Sequence, residues 1–176
     1  MNFMRHAAAA LLAVSPSAGG AGPGLAAPHL TYAFSVRVDL GAPQEQGIVD
    51  GRRLRFVPIT GGKVIGPRLH GVVLPGGGDW QAIHPDGLTE VDARYTLKAD
   101  DGTIIGIVNP GVRTAAPAIV ERMARGEDVD PSLYYFRTAP RFTVAAGSHE
   151  WLRQTLFVGR GIRRPTFVEI EFFAVD

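Results

Sequence analysis

Three short stretches of this chain bring together side chains that can hold or move a proton. In Leu88–Ala99, Glu90, Asp92, Arg94, Thr96 and Lys98 alternate with Val91, Ala93, Tyr95 and Leu97. Residues two apart on a strand share a face at a spacing of about 7 Å. Asp92 and Arg94 can therefore orient a polar molecule between carboxylate and guanidinium, or the acid can transfer a proton. In Gly76-Gly77-Gly78-Asp79-Trp80 the glycines allow close approach of a ligand to the backbone. Asp79 then serves as a base or acceptor at a cavity mouth, with Trp80 as its apolar wall. In Tyr134–Arg141, alternation puts Tyr135 beside Arg137, a phenol and a guanidinium suited to an oxyanion. Each stretch also has a plainer use: a solvated outer face, a turn acceptor beside a core tryptophan, an aromatic core with a surface arginine. Asp79, Asp92 and Tyr135 are the candidate catalytic residues. Trp80, Arg94, Arg113 and Arg137 are the candidates for holding a substrate.

Other chemistries lack their residues. There is no cysteine, which removes disulfides, thiolate nucleophiles and cysteine-based metal sites. Gly61-Gly62-Lys63 lacks the spacer and hydroxyl of a phosphate loop, and Gly159-Arg160-Gly161 lacks the third glycine of a dinucleotide fingerprint. The five histidines show no His-x-x-x-His spacing, so no metal and no cofactor is expected. The formal charge is +1, and it falls to zero once Arg5 is set aside, since no acid precedes Asp39. A neutral chain gives no electrostatic case for nucleic acid or an anionic membrane. The clusters Arg52-Arg53-Arg55 and Arg160-Arg163-Arg164 then read as solvated faces. Only Lys63 and Lys98 among the 18 basic residues are lysines, a bias that favours planar, bidentate donors.

The elements that must position these side chains are short strands. Gly (22) and Pro (13) make up about a fifth of the 176 residues, while 45% are apolar. That combination disfavours helices without signalling disorder. Leu30, Tyr32, Phe34, Val36, Val38 and Leu40 alternate with polar or small residues over a dozen positions. Further strands are predicted at 52–57, 63–65, 69–74, 79–83, 88–99, 103–109, 134–137, 141–145, 155–160 and 166–175. Pro58, Gly61-Gly62 and Pro75-Gly76-Gly77-Gly78 break the chain between some of them, and Asp86-Gly87 and Asp101-Gly102 make hairpins. One short helix is expected around 116–125, with Pro117 in its first turn and Gly126 past its end, and a second turn of helix begins near Ser148. Residues 1–27 read as a signal peptide or a disordered leader, with an apolar run after Arg5 and a small-residue end at Ala26-Ala27. This places the protein in the periplasm or outside the cell if the leader is a signal, and in the cytoplasm otherwise. Nothing else is long enough to span a bilayer.

Several motifs in order carry a resemblance. Phe56-Val57-Pro58-Ile59-Thr60-Gly61-Gly62, Leu74-Pro75-Gly76-Gly77-Gly78-Asp79-Trp80, Asp92-Ala93-Arg94-Tyr95, Tyr135-Phe136-Arg137-Thr138 and Phe157-Val158-Gly159 resemble the domain-of-unknown-function 3237 family, from about Leu30 to Val175. The resemblance implies a mainly β protein: a single antiparallel β-barrel over 28–176, lipocalin-like, with a central cavity. Residues and resemblance together lead to a small-molecule ligand, with a homodimer as a further expectation. The expected activity is acid–base chemistry on a compact polar organic molecule, such as elimination, isomerisation or cyclisation. The alternative is a carrier without turnover. A carboxyl raised in pKa inside the cavity favours catalysis, and carboxylates held ionised by arginine favour carriage.

Overall fold

The alternating segments become ten strands and two short helices in the computed structural model, which describes residues 26–176. All but the last two residues of the expected leader lie outside the described residues. The strands are β1 (Leu30–Leu40), β2 (Gln44–Val49), β3 (Arg52–Ile65), β4 (Gly71–Ile83), β5 (Leu88–Ala99), β6 (Ile104–Ala115), β7 (Tyr134–Thr138), β8 (Arg141–Val144), β9 (Phe157–Arg163) and β10 (Phe167–Val175). The helices are α1 (Pro117–Ala124) and α2 (Trp151–Gln154). Strand neighbours run β1-β10-β9-β7-β6-β5-β4-β3, and β3 returns to pair with β1. Eight antiparallel strands thus close on themselves, as the predicted barrel requires. Closure removes the sheet edges that an open array would leave unpaired.

Pro58, Gly61-Gly62 and Pro75-Gly76-Gly77-Gly78, expected to break the chain between strands, lie inside β3 and β4. β3 pairs with β2 up to Phe56 and with β1 from Ile59 onward. β6 pairs with β8 up to Val108 and with β7 from Gly111. Pro58 and Pro110 sit at these two changes of partner, and their carbonyls accept from Gly41 and Ala139, each at 2.8 Å. In an antiparallel strand the N–H and C=O of one residue face the same neighbour. Each proline therefore turns its missing N–H toward the gap between partners, where no ladder bond is lost. The glycine runs mark register shifts, between Ile59 and Gly62 on β3 and between Leu74 and Gly78 on β4. The strands bend there and continue.

The interior has two unlike ends. At one, Phe34 meets Phe142 at 6.0 Å and Phe172 at 5.2 Å, and Phe142 meets Phe157 at 5.2 Å. These tilted and edge-on contacts fill the barrel with Leu97, Ile105 and Val144. Trp151 of α2 closes that end over Phe34 and Phe157. At the other end the inward positions turn polar. Gln81, Thr89, Asn109, Arg113 and Thr138 are buried there. The end of α1, with Met123 buried, and the segment after it, with Val129 buried, are tied down by Arg163, which donates to the Met123 and Glu127 carbonyls at 2.9 and 3.0 Å. Among the described residues no helix is long and apolar enough to cross a membrane.

Candidate functional site

Alternation fixes what faces inward on each strand of the polar end. On β4 these are Asp79, Gln81 and Ile83. On β5 they are Thr89, Val91, Ala93 and Tyr95, and on β6 Asn109 and Arg113. Register stacks them: Val57 and Ala93 flank Asp79, Arg55 and Val91 flank Gln81, and Asn109 lies beyond Ala93. Asp79, Tyr95, Asn109 and Thr138 line a cavity of about 30 Å³ whose remaining walls are apolar, among them Val38, Val91, Phe136 and Val168. That space holds about two waters.

The Asp79 carboxyl is the chemical centre of this cavity. Its Oδ1 accepts the Asp92 backbone N–H at 3.1 Å, and its Oδ2 accepts the Gln81 side-chain amide. The Gln81 carbonyl in turn accepts from Arg55 Nε at 2.8 Å. Burial raises the Asp79 pKa to about 6, against the opposing pull of the Gln81 bond, the Arg113 charge, the Asp92 N–H and the Arg55 charge. Desolvation wins, and the carboxyl exchanges its proton near neutrality. Burial also pushes the Tyr95 phenol up, with Asn109 opposing and Asp79 adding to the shift. The Tyr95 hydroxyl, both polar atoms of the Asn109 amide, and the Thr89 and Thr138 hydroxyls are buried without a hydrogen-bond partner. Buried polar atoms are normally satisfied by protein, ordered water or a bound group, and within the protein these have no partner.

Of the seven residues singled out from sequence, Asp79 and Arg113 face this interior and the other five do not. Asp92 and Arg94 lie on the outer face of β5, joined by an ion pair at 2.8 Å. Trp80 is half exposed, stacked on Phe56 at 4.9 Å outside the barrel. Tyr135 and Arg137 also face outward, the guanidinium 5.0 Å from the Tyr135 ring. The assignment of faces on β5 is thus corrected: Val91, Ala93, Tyr95 and Leu97 point in, and the charged face is solvated. Desolvating Asp92, Arg94 and Lys98 together would cost far more than burying their apolar neighbours gains. The glycines beside Asp79 also have another use, since a Cβ on Gly78 would meet the Phe56 ring at 1.9 Å.

Sequence reasoning missed Arg55, Gln81, Tyr95, Asn109 and Thr138. Arg55 was grouped with solvated arginines, yet it is largely withdrawn from solvent and its pKa is lowered chiefly by that burial. The usable signal was phase. Arg55 shares its parity with Val57 and Ile59, and Asn109 with Ile105 and Ile107, so each is a polar residue in step with core positions. Among the described residues no three His, Asp or Glu side chains gather into a group that could hold a metal ion.

Comparison with known proteins agrees with this architecture. A UPF0311 protein from Rhodopseudomonas palustris is 38% identical over 144 residues, covering 82% of this chain and 94% of its own. The solved structure of a beta-barrel like protein from Acinetobacter baumannii superimposes with a TM-score of 0.76 at 33% identity, over 88% of this chain and 99% of that one. A structure described as an enzyme from Penicillium herquei gives a TM-score of 0.66 at 21% identity, over 89% and 100%, a likeness of fold alone. The model of the family described as "Protein of unknown function (DUF3237)" matches residues 28–175, and with it the chain belongs to that family.

Proposed function

We propose that this protein is a small-molecule-binding barrel in which Asp79 transfers a proton to or from a compact polar organic molecule. The observation that carries this is the Asp79 carboxyl lining a small, partly open cavity beside unpartnered Tyr95, Asn109 and Thr138 groups. A carboxyl exchanging its proton near pH 6 suits general acid–base work at neutral pH. Tyr95 and the Asn109 amide supply donors to an oxygen that gains charge during the transfer. Elimination, isomerisation and cyclisation all fit such a step. A carrier would gain from a carboxylate kept ionised by a guanidinium, and Asp79 instead bonds an amide and a backbone N–H.

The test is mass spectrometry of molecules released from the natively expressed protein and from its Asp79→Asn variant. The expected result is a small organic molecule retained by the variant and found in altered form with the wild type. The same unaltered molecule on both proteins would overturn the catalytic role and leave carriage. No retained molecule on either would overturn the cavity as the site.

A further inference from the structure

The polar end of the barrel holds more positive charge than its one carboxylate can match. Arg55 on β3 and Arg163 on β9 both lie close enough to act on Arg113 on β6; Asp79 is the inward acid that acts on Arg55 and Arg113, while the exposed Glu45 and Asp128 act on Arg55 and Arg163 from outside. Among the described residues none of the three closes an ion pair within 4.0 Å. Two of them are committed elsewhere: Arg55 donates to Gln81, and Arg163 to the carbonyls of Met123 and Glu127. Arg113 is not. It is 5% exposed, its Nε is buried with no hydrogen-bond partner, and its closest aromatic neighbour is Phe136, whose ring lies 5.8 Å away. Burial, with Arg55 and Arg163, lowers its pKa to about 10, which leaves it cationic at neutral pH. An uncompensated buried guanidinium is unfavourable, and a fold that keeps one gains when an anion arrives.

Around Arg113 stand further groups without partners. Thr89 faces it directly on β5, Thr138 on β7 lies one inward position along, opposite Gly111, and Asn109 on β6 lies two inward positions along, beyond Gly111. We infer that the ligand of this cavity carries a carboxylate, toward which Arg113, buried beside the cavity-lining Phe136, presents its planar fork, with the lining Asn109 and Thr138 as additional donors. A guanidinium matches the two oxygens of a carboxylate in a way that a neutral amide or alcohol cannot. This rests on the cavity proposed above and adds the chemical class of what enters it. Asp79, two strands away on β4, remains free to exchange its proton.

The experiment follows backbone amide shifts by NMR on the full chain, titrated with acetate and acetamide and then with the larger pair benzoate and benzamide. Acetate is expected to shift the Asn109, Arg113 and Thr138 amides saturably, with acetamide at least about tenfold weaker. Arg113→Gln is expected to lose that preference, and Arg94→Ala, on the outer face of β5, to keep it. Acetamide binding the same amides as tightly as acetate would overturn the inference while leaving the cavity in place. Acetate shifting only outer-face amides, or no probe binding, would also overturn it. Because the acetate–acetamide comparison uses the wild-type protein, it stands even if Arg113→Gln does not fold. Proton transfer is read separately, from what Asp79→Asn retains.

Discussion

The backbone N–H of Asp92 donates to Asp79 Oδ1 at 3.1 Å, while the Asp92 carboxylate itself points away from the interior, into the Arg94 guanidinium. Two residues that compete for one chemical role in the sequence are thus partners with different jobs. Asp79 carries the carboxyl inside, and Asp92 steadies it through the main chain from a position whose side chain is wet. Replacing the Asp92 side chain leaves that N–H in place.

The Asp92–Arg94 ion pair is therefore separable from the cavity. Its side chains are 39% and 60% exposed, and exposed pairs contribute at most about 1 kcal/mol. Asp92→Asn and Arg94→Ala are expected to change stability by no more than that and to leave acetate titrations of the interior amides unaltered. Chemical denaturation and the NMR titration check both halves. A large loss of acetate binding in either variant would place the chemistry on the outer face.

Asp79 sets a pH dependence of known sign. Its pKa rises from 3.8 to about 6 on folding, so the folded state holds a proton that the unfolded state has released between those values. Stability falls as pH climbs through that window and stays lower above it, by about 3 kcal/mol for an unrelaxed shift of that size. Arg55, Gln81, Tyr95, Asn109 and Arg113 face the carboxyl from β3, β4, β5 and β6, and the charges of the two arginines reduce the rise without reversing it. Asp79→Asn removes the proton-binding difference. Its Tm is expected to exceed that of the wild type at pH 7 by more than at pH 4, and thermal unfolding at both values decides the sign.

Asn109 offers a test of the unpartnered atoms. Both polar atoms of its amide are buried without a bond. Asn109→Leu replaces them with apolar surface of similar size and is expected to raise stability by about 1 kcal/mol. The same change should abolish acetate shifts at Arg113 and Thr138. Stability gained where binding is lost is the pattern expected of a site kept for a ligand. A variant less stable than wild type would mean that the amide is already satisfied in the folded protein.

The strands were legible because alternation survives at Leu30–Leu40 and Leu88–Ala99 whatever packs against them. Which face of Leu88–Ala99 turns inward was not, since a cavity lining and a solvated surface share one composition. That choice belongs to the neighbours: Ala93 lies between Asp79 and Asn109 only once β4 and β6 take their register. Pro58 lies inside β3, against expectation, for a related reason, just as Pro110 lies inside β6. A proline ends a strand that has a single partner on its N–H side, and these two lie where the partner changes.

Gly161 controls the floor of the site by its size. It lies opposite Ile170 on β10, and a Cβ there would meet Phe136 ring atoms at 2.4 Å. Gly161→Ala is expected to force the ring toward Arg113 and to cost about 1–3 kcal/mol. Pairing it with Phe136→Leu should recover part of the loss, which a double-mutant cycle of denaturation midpoints measures.

Pro58 and Pro110 each sit where a long strand changes partner on one side, while β3–β4 and β5–β6 pairing continues past them on the other. The end around Phe34, Phe142, Phe157 and Phe172 is packed with aromatic rings, whereas the end around Asp79 and Arg113 holds the cavity and the unpartnered polar atoms, so local opening is expected at the second before the first. A cavity with room for about two waters could then admit a larger guest without melting its support. Amide hydrogen exchange is expected to be slower in β8, whose alternate residues are buried against the aromatic cluster, than in β2, which is exposed along its whole length.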